Sequence, residues 1–574
     1  MTKKVALIEP KSPSIHVYKI FPMPRLGNLI NGGIFSDHGY EVRVFFEEAS
    51  KLDMDYIRKA DIVGISSITA TMMRGYDIGN EVKRHNPNAE IWYGGPHPTA
   101  LPEEPFKVGN ANLVALGEAE ESLEKILSGV NLEDIKGIAF RRGDEIIINR
   151  RPKGDFPDVK KTPLPRYDLL AGYDKLPVIS QENSRGCPFN CNFCSVTTTF
   201  GHKFRTVDNM MSSKKLIMHA KKVQVNGGTK YKIPKPVFMI DDIFNANEDR
   251  AISLIQDWMD VGIVFNGWSA QVTTQGNENS SIAYQHRLLE KMKESGCSML
   301  YVGFESVDEN SLKAMRKKQS KSRIVETIES IHSHGISVHG MFVIGTDFDD
   351  KYTAHRTVEF AKEHGIETIQ LMILTPLPGT ETYYDMKKQG RLLTEDWTFY
   401  DAHHCVFVPK NMSPHELERS VIDAMKEFYS AYQIAQPIIG SIPDYMKLGL
   451  NRITGKNDEE LKRKIVRNYW LSAYRLFGGY VTRKFDKNDI FTSYLEQMHT
   501  LEELHREKVK LLTGSLNDIK FNINEYIDEL RYEWRRDIDS AILKLKHIPD
   551  EIREKAKSCY YGRIDNVFSE MQSA

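Results

Sequence analysis

Short apolar runs alternate with charged, helix-permissive stretches through most of the chain. Between residues 4 and about 130 the runs Val5-Ala6-Leu7-Ile8, Val42-Arg43-Val44-Phe45, Ile62-Val63-Gly64-Ile65 and Ile91-Trp92-Tyr93 are separated by helical patterns at Leu26 to His38 and up to Arg84. Alternation of this kind is the pattern of βαβ units on a parallel sheet. It predicts a small doubly wound, Rossmann-like α/β domain over 1–150.

A second series follows at Val178 to Ser180, Val237 to Ile240, Val264 to Trp268, Met299 to Val302, Val338 to Ile344 and Thr368 to Ile373. Six βα units predict a partial (β/α)6 barrel of the triosephosphate isomerase type over 179–409, with its active groups at the carboxyl ends of the strands. Between the two series, Pro152, Pro157, Pro163, Pro165 and Pro177 prevent a helix or central strand, so 151–178 reads as a linker. Past Pro409 the pattern is helical and polar, at Ser413 to Ile434, Glu459 to Phe477, Asp489 to Leu512, Ile523 to Leu545 and Glu551 to Met571. A helical C-terminal domain over 410–574 is expected there, without metal spacing or a glycine loop.

Charge is balanced, 77 basic against 78 acidic residues in 574, so no global field recruits nucleic acid; a small or locally recognised substrate is expected. No run approaches the roughly 18 apolar residues of a spanning helix, and the start lacks a signal-peptide core. A cytoplasmic protein is expected, with peripheral membrane association left open. Six cysteines are too few for a disulfide framework, and three of them fall within eight residues, which is metal-site usage in a reducing compartment.

Those three lie in Ser184-Arg185-Gly186-Cys187-Pro188-Phe189-Asn190-Cys191-Asn192-Phe193-Cys194, directly after the first expected barrel strand. The C-x3-C-x2-C spacing lets one loop offer soft thiolates to three corners of a 4Fe-4S cube and leaves the fourth iron open. A zinc knuckle would need a fourth closed ligand, and only His202 is near. Cys297, Cys405 and Cys559 are isolated and read as small buried hydrophobes.

With the aromatic Phe193 before its last cysteine, the loop resembles the signature of the radical S-adenosylmethionine (radical SAM) enzymes, and the resemblance runs from residue 1 to about 435. It implies that Cys187, Cys191 and Cys194 hold a 4Fe-4S cluster whose open iron binds S-adenosylmethionine (SAM). Gly303-Phe304-Glu305-Ser306, ending the fourth strand, would meet the methionine end of SAM. Gln271 at the end of the third strand, Arg205 after the loop and Gly345 beneath the adenine are implied as further cofactor contacts. Asp241, Asp242 and Asn245 are candidates for substrate or rim contacts, a rim salt-bridge network being the alternative for these and for Arg205. Thr375 to Thr380 and Asp396 to Asp401 resemble a segment that closes one side of such sites.

The N-terminal region resembles cobalamin-binding domains of the same group. Ser66-Ser67 after the third strand would meet the buried dimethylbenzimidazole, and Gly94-Gly95 after the fourth would flank the nucleotide tail; Pro96-His97-Pro98-Thr99 and Gly117-Glu118-Ala119-Glu120 match the wider group. Glycine there permits close approach at the carboxyl edge of an open sheet. The Asp-x-His-x-x-Gly loop that supplies a lower cobalt ligand is absent, and His16 lacks its supporting aspartate and glycine, so it reads as a loop histidine. Cobalamin binding is favoured over a vestigial domain.

The resemblance implies reductive cleavage of SAM to a 5′-deoxyadenosyl radical, hydrogen abstraction from an unactivated carbon and, with cobalamin, methylation of that carbon. Radical carbon-carbon coupling or cyclisation is the alternative, and a non-catalytic iron-sulfur redox scaffold the alternative of another class. A lipid, peptide or other small-molecule substrate and an external donor such as flavodoxin or ferredoxin are the expected partners.

Overall fold

In the computed structural model, which describes residues 2–12, 22–225, 228–276, 280–441, 444 and 459–486, the first apolar runs become strands β1 (Lys4–Glu9), β2 (Glu41–Phe46), β3 (Ile62–Ser66), β4 (Glu90–Gly94) and β5 (Leu113–Ala115). They pair in parallel in the order β2-β1-β3-β4-β5. Nearly every β1 residue is buried, as expected of a strand covered on both faces. Leu29, Ile30, Ile34 and Phe35 of the helix Gly27–Asp37 pack on Leu7 and Val44, while Met72, Ile78 and Val82 of the helix Met72–His85 pack on Ala6 and Ile65 on the other side. The sheet is therefore doubly wound, with the switch in strand order between β1 and β3. Two strands that periodicity did not announce, β6 (Ile138–Arg142) and β7 (Glu145–Asn149), add antiparallel at the edge, turning at Gly143 in the left-handed region.

Residues 151–178 form only single-turn 3-10 segments, at Val159–Lys161, Tyr167–Leu169 and Tyr173–Lys175. The chain then enters β8 (Ile179–Gln181), whose continuation β9 (Ser184–Arg185) pairs antiparallel with β10 (Arg205–Thr206). After the β11 (Lys221–Val225) and β12 (Gly228–Lys232) hairpin come β13 (Val237–Met239), β14 (Ile263–Val264), β15 (Trp268–Val272), β16 (Cys297–Glu305), β17 (Ser337–Ile344) and β18 (Thr368–Ile373). Six of these form one parallel sheet, ordered β18-β17-β16-β15-β13-β8. The third strand expected at Val264 to Trp268 starts instead at Trp268: Val264 belongs to β14, which pairs with β12, and Gly267 with its left-handed φ of 83° turns the chain between them.

Burial alternates along these strands. Val302, Val338 and Leu371 are buried, while the intervening Tyr301, His339 and Gln370 remain half-buried, so the face away from the packed core opens into the barrel. Gln271, Tyr301 and His339 are register partners in one row, and Gly303, Met341 and Gln370 form the next toward the carboxyl ends.

The chain divides into two compact units, Met1–Val421 and Ile422–Ala574. The helix expected over Ser413 to Ile434 is interrupted: Ser430 adopts an extended conformation between the helices Pro414–Phe428 and Ala431–Gly440. A further helix spans Glu459–Asp486. His16, Cys559 and the helices expected after residue 487 lie outside the described residues. Among the described residues no helix is long and apolar enough to cross a membrane.

Burial holds His219 and His339 neutral, pushing the pKa of each down to about 4. An unfolded histidine takes its proton near pH 6.5, so stability from these side chains is complete above that pH and falls as pH drops toward 4, by at most about 3 kcal/mol for each. The thermal unfolding midpoint is expected to fall between pH 7 and 5, and less steeply in His339→Gln. An identical slope in that variant would remove His339 from the explanation.

Candidate functional site

The thiol loop leaves the barrel at a point fixed by two carboxylates of the neighbouring strand. Asp241, directly after β13, accepts from the Asn183 amide at 3.2 Å, from Asn183 Nδ2 at 3.0 Å and from the Ser184 hydroxyl; Asp242 accepts from the Gly186 amide at 3.0 Å. Burial raises both carboxyls, that of Asp242 to about 7. Gly186 is left-handed, with φ 85°, which permits the turn into Cys187. The β9–β10 pairing, with Arg185 opposite Arg205, closes the loop behind it.

Cys187, Cys191 and Cys194 are half-buried free thiols close enough to influence one another electrostatically. Burial pushes Cys187 up to about 11 and Cys194 to about 12. Three thiols that resist ionisation in one loop suit a metal centre, whose positive charge offsets the thiolates. Among the described residues no three His, Cys, Asp or Glu side chains converge on a single-ion site. Phe193 lies half-buried between the last two cysteines.

Across from the loop, β16 ends at Glu305 in the left-handed region, φ 59°, where the ladder to β17 slips register after Gly303. A non-glycine residue held there is strained backbone at a rim position. Lys317 Nζ donates to Glu305 Oε1 at 2.7 Å, and both side chains are nearly buried. A side chain at Gly303 would reach 2.6 Å from Glu305 Oε1 and 3.3 Å from Lys317 Nζ, so glycine keeps room for the pair. Burial lowers the Lys317 pKa, but Glu305, Cys191 and Cys194 more than offset this and raise it above the ordinary lysine value.

Gln275 ties the two sides together: its Nε2 lies 3.6 Å from Cys191 Sγ, and its Oε1 accepts from the Lys318 amide at 3.2 Å. Gln319 donates to the Phe304 carbonyl and contacts Thr274, fixing the same segment. Sequence reasoning missed Lys317 and Gln275, since a lysine pair after a short helix looks like solvated surface.

The other expected residues divide. Ser306 is buried in the turn after Glu305, its hydroxyl accepting from the Asp308 amide at 3.1 Å. Gln271 lies half-buried on the open inner face. Gly345, φ 113°, is packed so that a side chain would meet Leu417 at 2.8 Å and Phe407 at 3.3 Å. Asp241, Asn245 and Arg205 do not present free polar groups to the rim. Asp241 is used as above; Asn245 bonds the Thr273 amide and carbonyl, the Ser280 carbonyl and Gln285; Arg205 bonds Glu118 and the Pro157 and Phe200 carbonyls. Of these contacts only Arg205–Glu118 is an ion pair of the kind the salt-bridge alternative expects.

In the N-terminal sheet, Ser66-Ser67 and Gly94-Gly95 meet at the carboxyl edge of β3 and β4. Gly95 is left-handed at φ 96°, and a side chain there would sit 2.6 Å from the Ser67 carbonyl. Gly94 has only Ala115 at 3.7 Å, leaving space on that edge. Ser67 is fully buried beside Gly75, and Ser66 is half-buried. The thiol-loop helix Val196–Phe200 touches the segment expected to close the site: Thr198 Oγ1 donates to the Gly379 carbonyl at 3.1 Å, and a side chain at Gly379 would reach Ala100 at 3.1 Å.

Residues 183–357 match the radical SAM superfamily and residues 21–127 the B12 binding domain. An uncharacterized methyltransferase of Pyrococcus horikoshii is 28% identical over 64% of this chain and 78% of its own. The bacteriochlorophyllide d C-12(1)-methyltransferase of Chlorobaculum tepidum is 25% identical over 80% of this chain and 95% of its own. The solved cobalamin-dependent SAM radical enzyme OxsB, with aqua-cobalamin and SAM bound, shares the fold at a TM-score of 0.60 and 15% identity, over 100% of this chain and 84% of that one. The chain thus carries a radical SAM domain and a B12 binding domain, which imply a 4Fe-4S cluster, SAM and cobalamin as its cofactors.

Gly95→Ala is expected to cost about 1–3 kcal/mol for its glycine-only backbone conformation, φ 96° and ψ −178°, alone, with a further loss from the contact at Ser67. Calorimetric unfolding checks both effects together; an unchanged midpoint would contradict the tight β3–β4 edge.

Proposed function

We propose that this enzyme is a cobalamin-dependent methyltransferase acting on an unactivated carbon of a small molecule, with Cys187, Cys191 and Cys194 as the cluster ligands and Glu305 and Lys317 as the SAM-reading pair. When bound, the cluster supplies the electron that splits SAM, and cobalamin supplies the methyl group transferred to the substrate carbon. The juxtaposition of the Glu305–Lys317 ion pair with the thiol loop carries the reading. The free amino-acid end of SAM is a zwitterion, and one carboxylate beside one lysine answers both of its charges.

The chain's own part is to bind, orient and exclude water. Gly303 leaves room for the pair, Gln275 ties the Lys318 backbone next to Lys317 to Cys191, and the inner row Gln271, Tyr301 and His339 forms a wall against which a small substrate is held in attacking range. Ser66, Ser67, Gly94 and Gly95 hold the cobalamin nucleotide, and Asp242 supports the thiol loop. The domains are 1–150, 151–178, 179–409 and 410–574. Three free half-buried thiols suit a cytoplasm that keeps them reduced, and a flavodoxin or ferredoxin serves as electron donor. Lipid and peptide precursors fit the substrate class.

Cys191→Ala is expected to lose the brown iron-sulfur chromophore and all 5′-deoxyadenosine formation; a variant that still forms it would overturn the ligand assignment. Glu305→Ala and Lys317→Met are each expected to weaken SAM binding about 10- to 100-fold, the loss of a charged hydrogen bond worth roughly 1.5–3 kcal/mol, with iron content unchanged. Unaltered affinity by titration calorimetry would return the pair to a structural role. Incubation with methyl-labelled SAM, hydroxocobalamin and a low-potential reductant that brings the cobalt to cob(I)alamin should yield labelled methylcobalamin and S-adenosylhomocysteine; its absence in a cobalt-loaded, reduced enzyme would favour radical coupling or cyclisation.

A further inference from the structure

Glu118 follows β5 in the turn Gly117-Glu118-Ala119-Glu120 and is essentially fully buried, with 1% of its side chain exposed. Its Oε1 lies 2.8 Å from Arg185 NH1 and 3.1 Å from Arg205 NH1, and its Oε2 lies 2.7 Å from Arg205 NH2. Arg185 and Arg205 are themselves register partners across β9 and β10, the two stems between which the thiol loop is strung. A single carboxylate of the N-terminal sheet thus takes hold of both ends of the loop that carries the three cysteines.

The rest of the network is arranged around that contact. Arg185 also binds Glu120 at 2.7 Å and both oxygens of Glu182, at 2.8 and 3.0 Å, and Lys215 Nζ lies 3.9 Å from Glu182. Three cations face three anions, so the buried charges balance. Arg205 adds the Pro157 carbonyl at 3.0 Å and lies 4.8 Å over the Phe156 ring, which draws the linker into the same cluster. At Gly117, left-handed with φ 77°, a side chain would stand 3.1 Å from the Thr199 carbonyl inside the thiol loop. A buried ionic cluster is a weak source of stability compared with apolar packing, but it is directional: Glu118 Oε1 accepts charged hydrogen bonds from both Arg185 and Arg205, and the bidentate Arg185–Glu182 pair fixes the Arg185 guanidinium plane.

We propose that Glu118 is a positioning residue that fixes the thiol loop, and with it the cluster, relative to the sheet edge that holds cobalamin, and so sets the distance between the two cofactors. The proposal rests on the reading of Cys187, Cys191 and Cys194 as cluster ligands and of the β3–β4 edge as the cobalamin site. The contacts of Glu118 are to Arg185 and Arg205. Its effect passes through Arg185 and Arg205 to the stems of the loop.

The test uses the full chain, reconstituted anaerobically with iron, sulfide and hydroxocobalamin and reduced to give the paramagnetic cluster together with cob(II)alamin. Pulsed dipolar electron paramagnetic resonance reads the iron-to-cobalt distance, and metal analysis reads occupancy. The wild-type chain is expected to give one narrow distance, and Glu118→Gln to lose it while keeping its iron and cobalt. Arg205→Gln, which removes one of the two arms, is expected to broaden the distribution in the same direction. An unchanged narrow distance in a fully loaded Glu118→Gln protein would overturn the proposal. Failure of both variants to fold would overturn it too, by making the cluster of charges a stability element. A wild-type chain without iron or without cobalt would instead contradict the underlying cofactor reading.

Discussion

The site depends on the way the chain leaves its first barrel strand. A loop of soft thiols has no regular hydrogen bonding of its own, so its position must come from its ends. At the entry, Asp241 and Asp242 capture the Asn183 and Gly186 amides; behind it, β9 and β10 close the loop as a two-residue ladder. Placing two buried carboxylates next to backbone amides, instead of at the solvent edge, explains why neither presents both oxygens to the rim. What reaches the cavity is then the thiol loop on one side and the Glu305–Lys317 pair on the other.

The second constraint is the strained end of β16. A glutamate in the left-handed region is stable only where its surroundings impose that conformation, and here the register slip, the room left by Gly303 and the salt bridge to Lys317 do so together. Gln275 extends the arrangement to Cys191, so the Glu305 side and the thiol-loop side are built as one hydrogen-bonded unit.

Much of this was legible in the sequence because the signals are local. The apolar runs at Val5 and Ile62 became strands with edges close to those expected, and the order of the elements gave both sheets. The cysteine spacing and Phe193 identified the loop without any tertiary information. The failures are tertiary. The β6–β7 hairpin, whose Ile146 to Ile148 run is half-buried at a sheet edge, carries no βα period. Val264 is as apolar as a barrel strand requires, and only Gly267 diverts it. Lys317 reads as surface because its partner is twelve residues away.

The central claim is that one chain holds both an iron-sulfur cluster and cobalamin. Anaerobic purification with hydroxocobalamin supplied, followed by iron and cobalt analysis and an absorption spectrum, tests it most directly. The account predicts a full complement of cluster iron together with stoichiometric cobalt. Iron without cobalt would contradict the cobalamin site and with it methyl transfer.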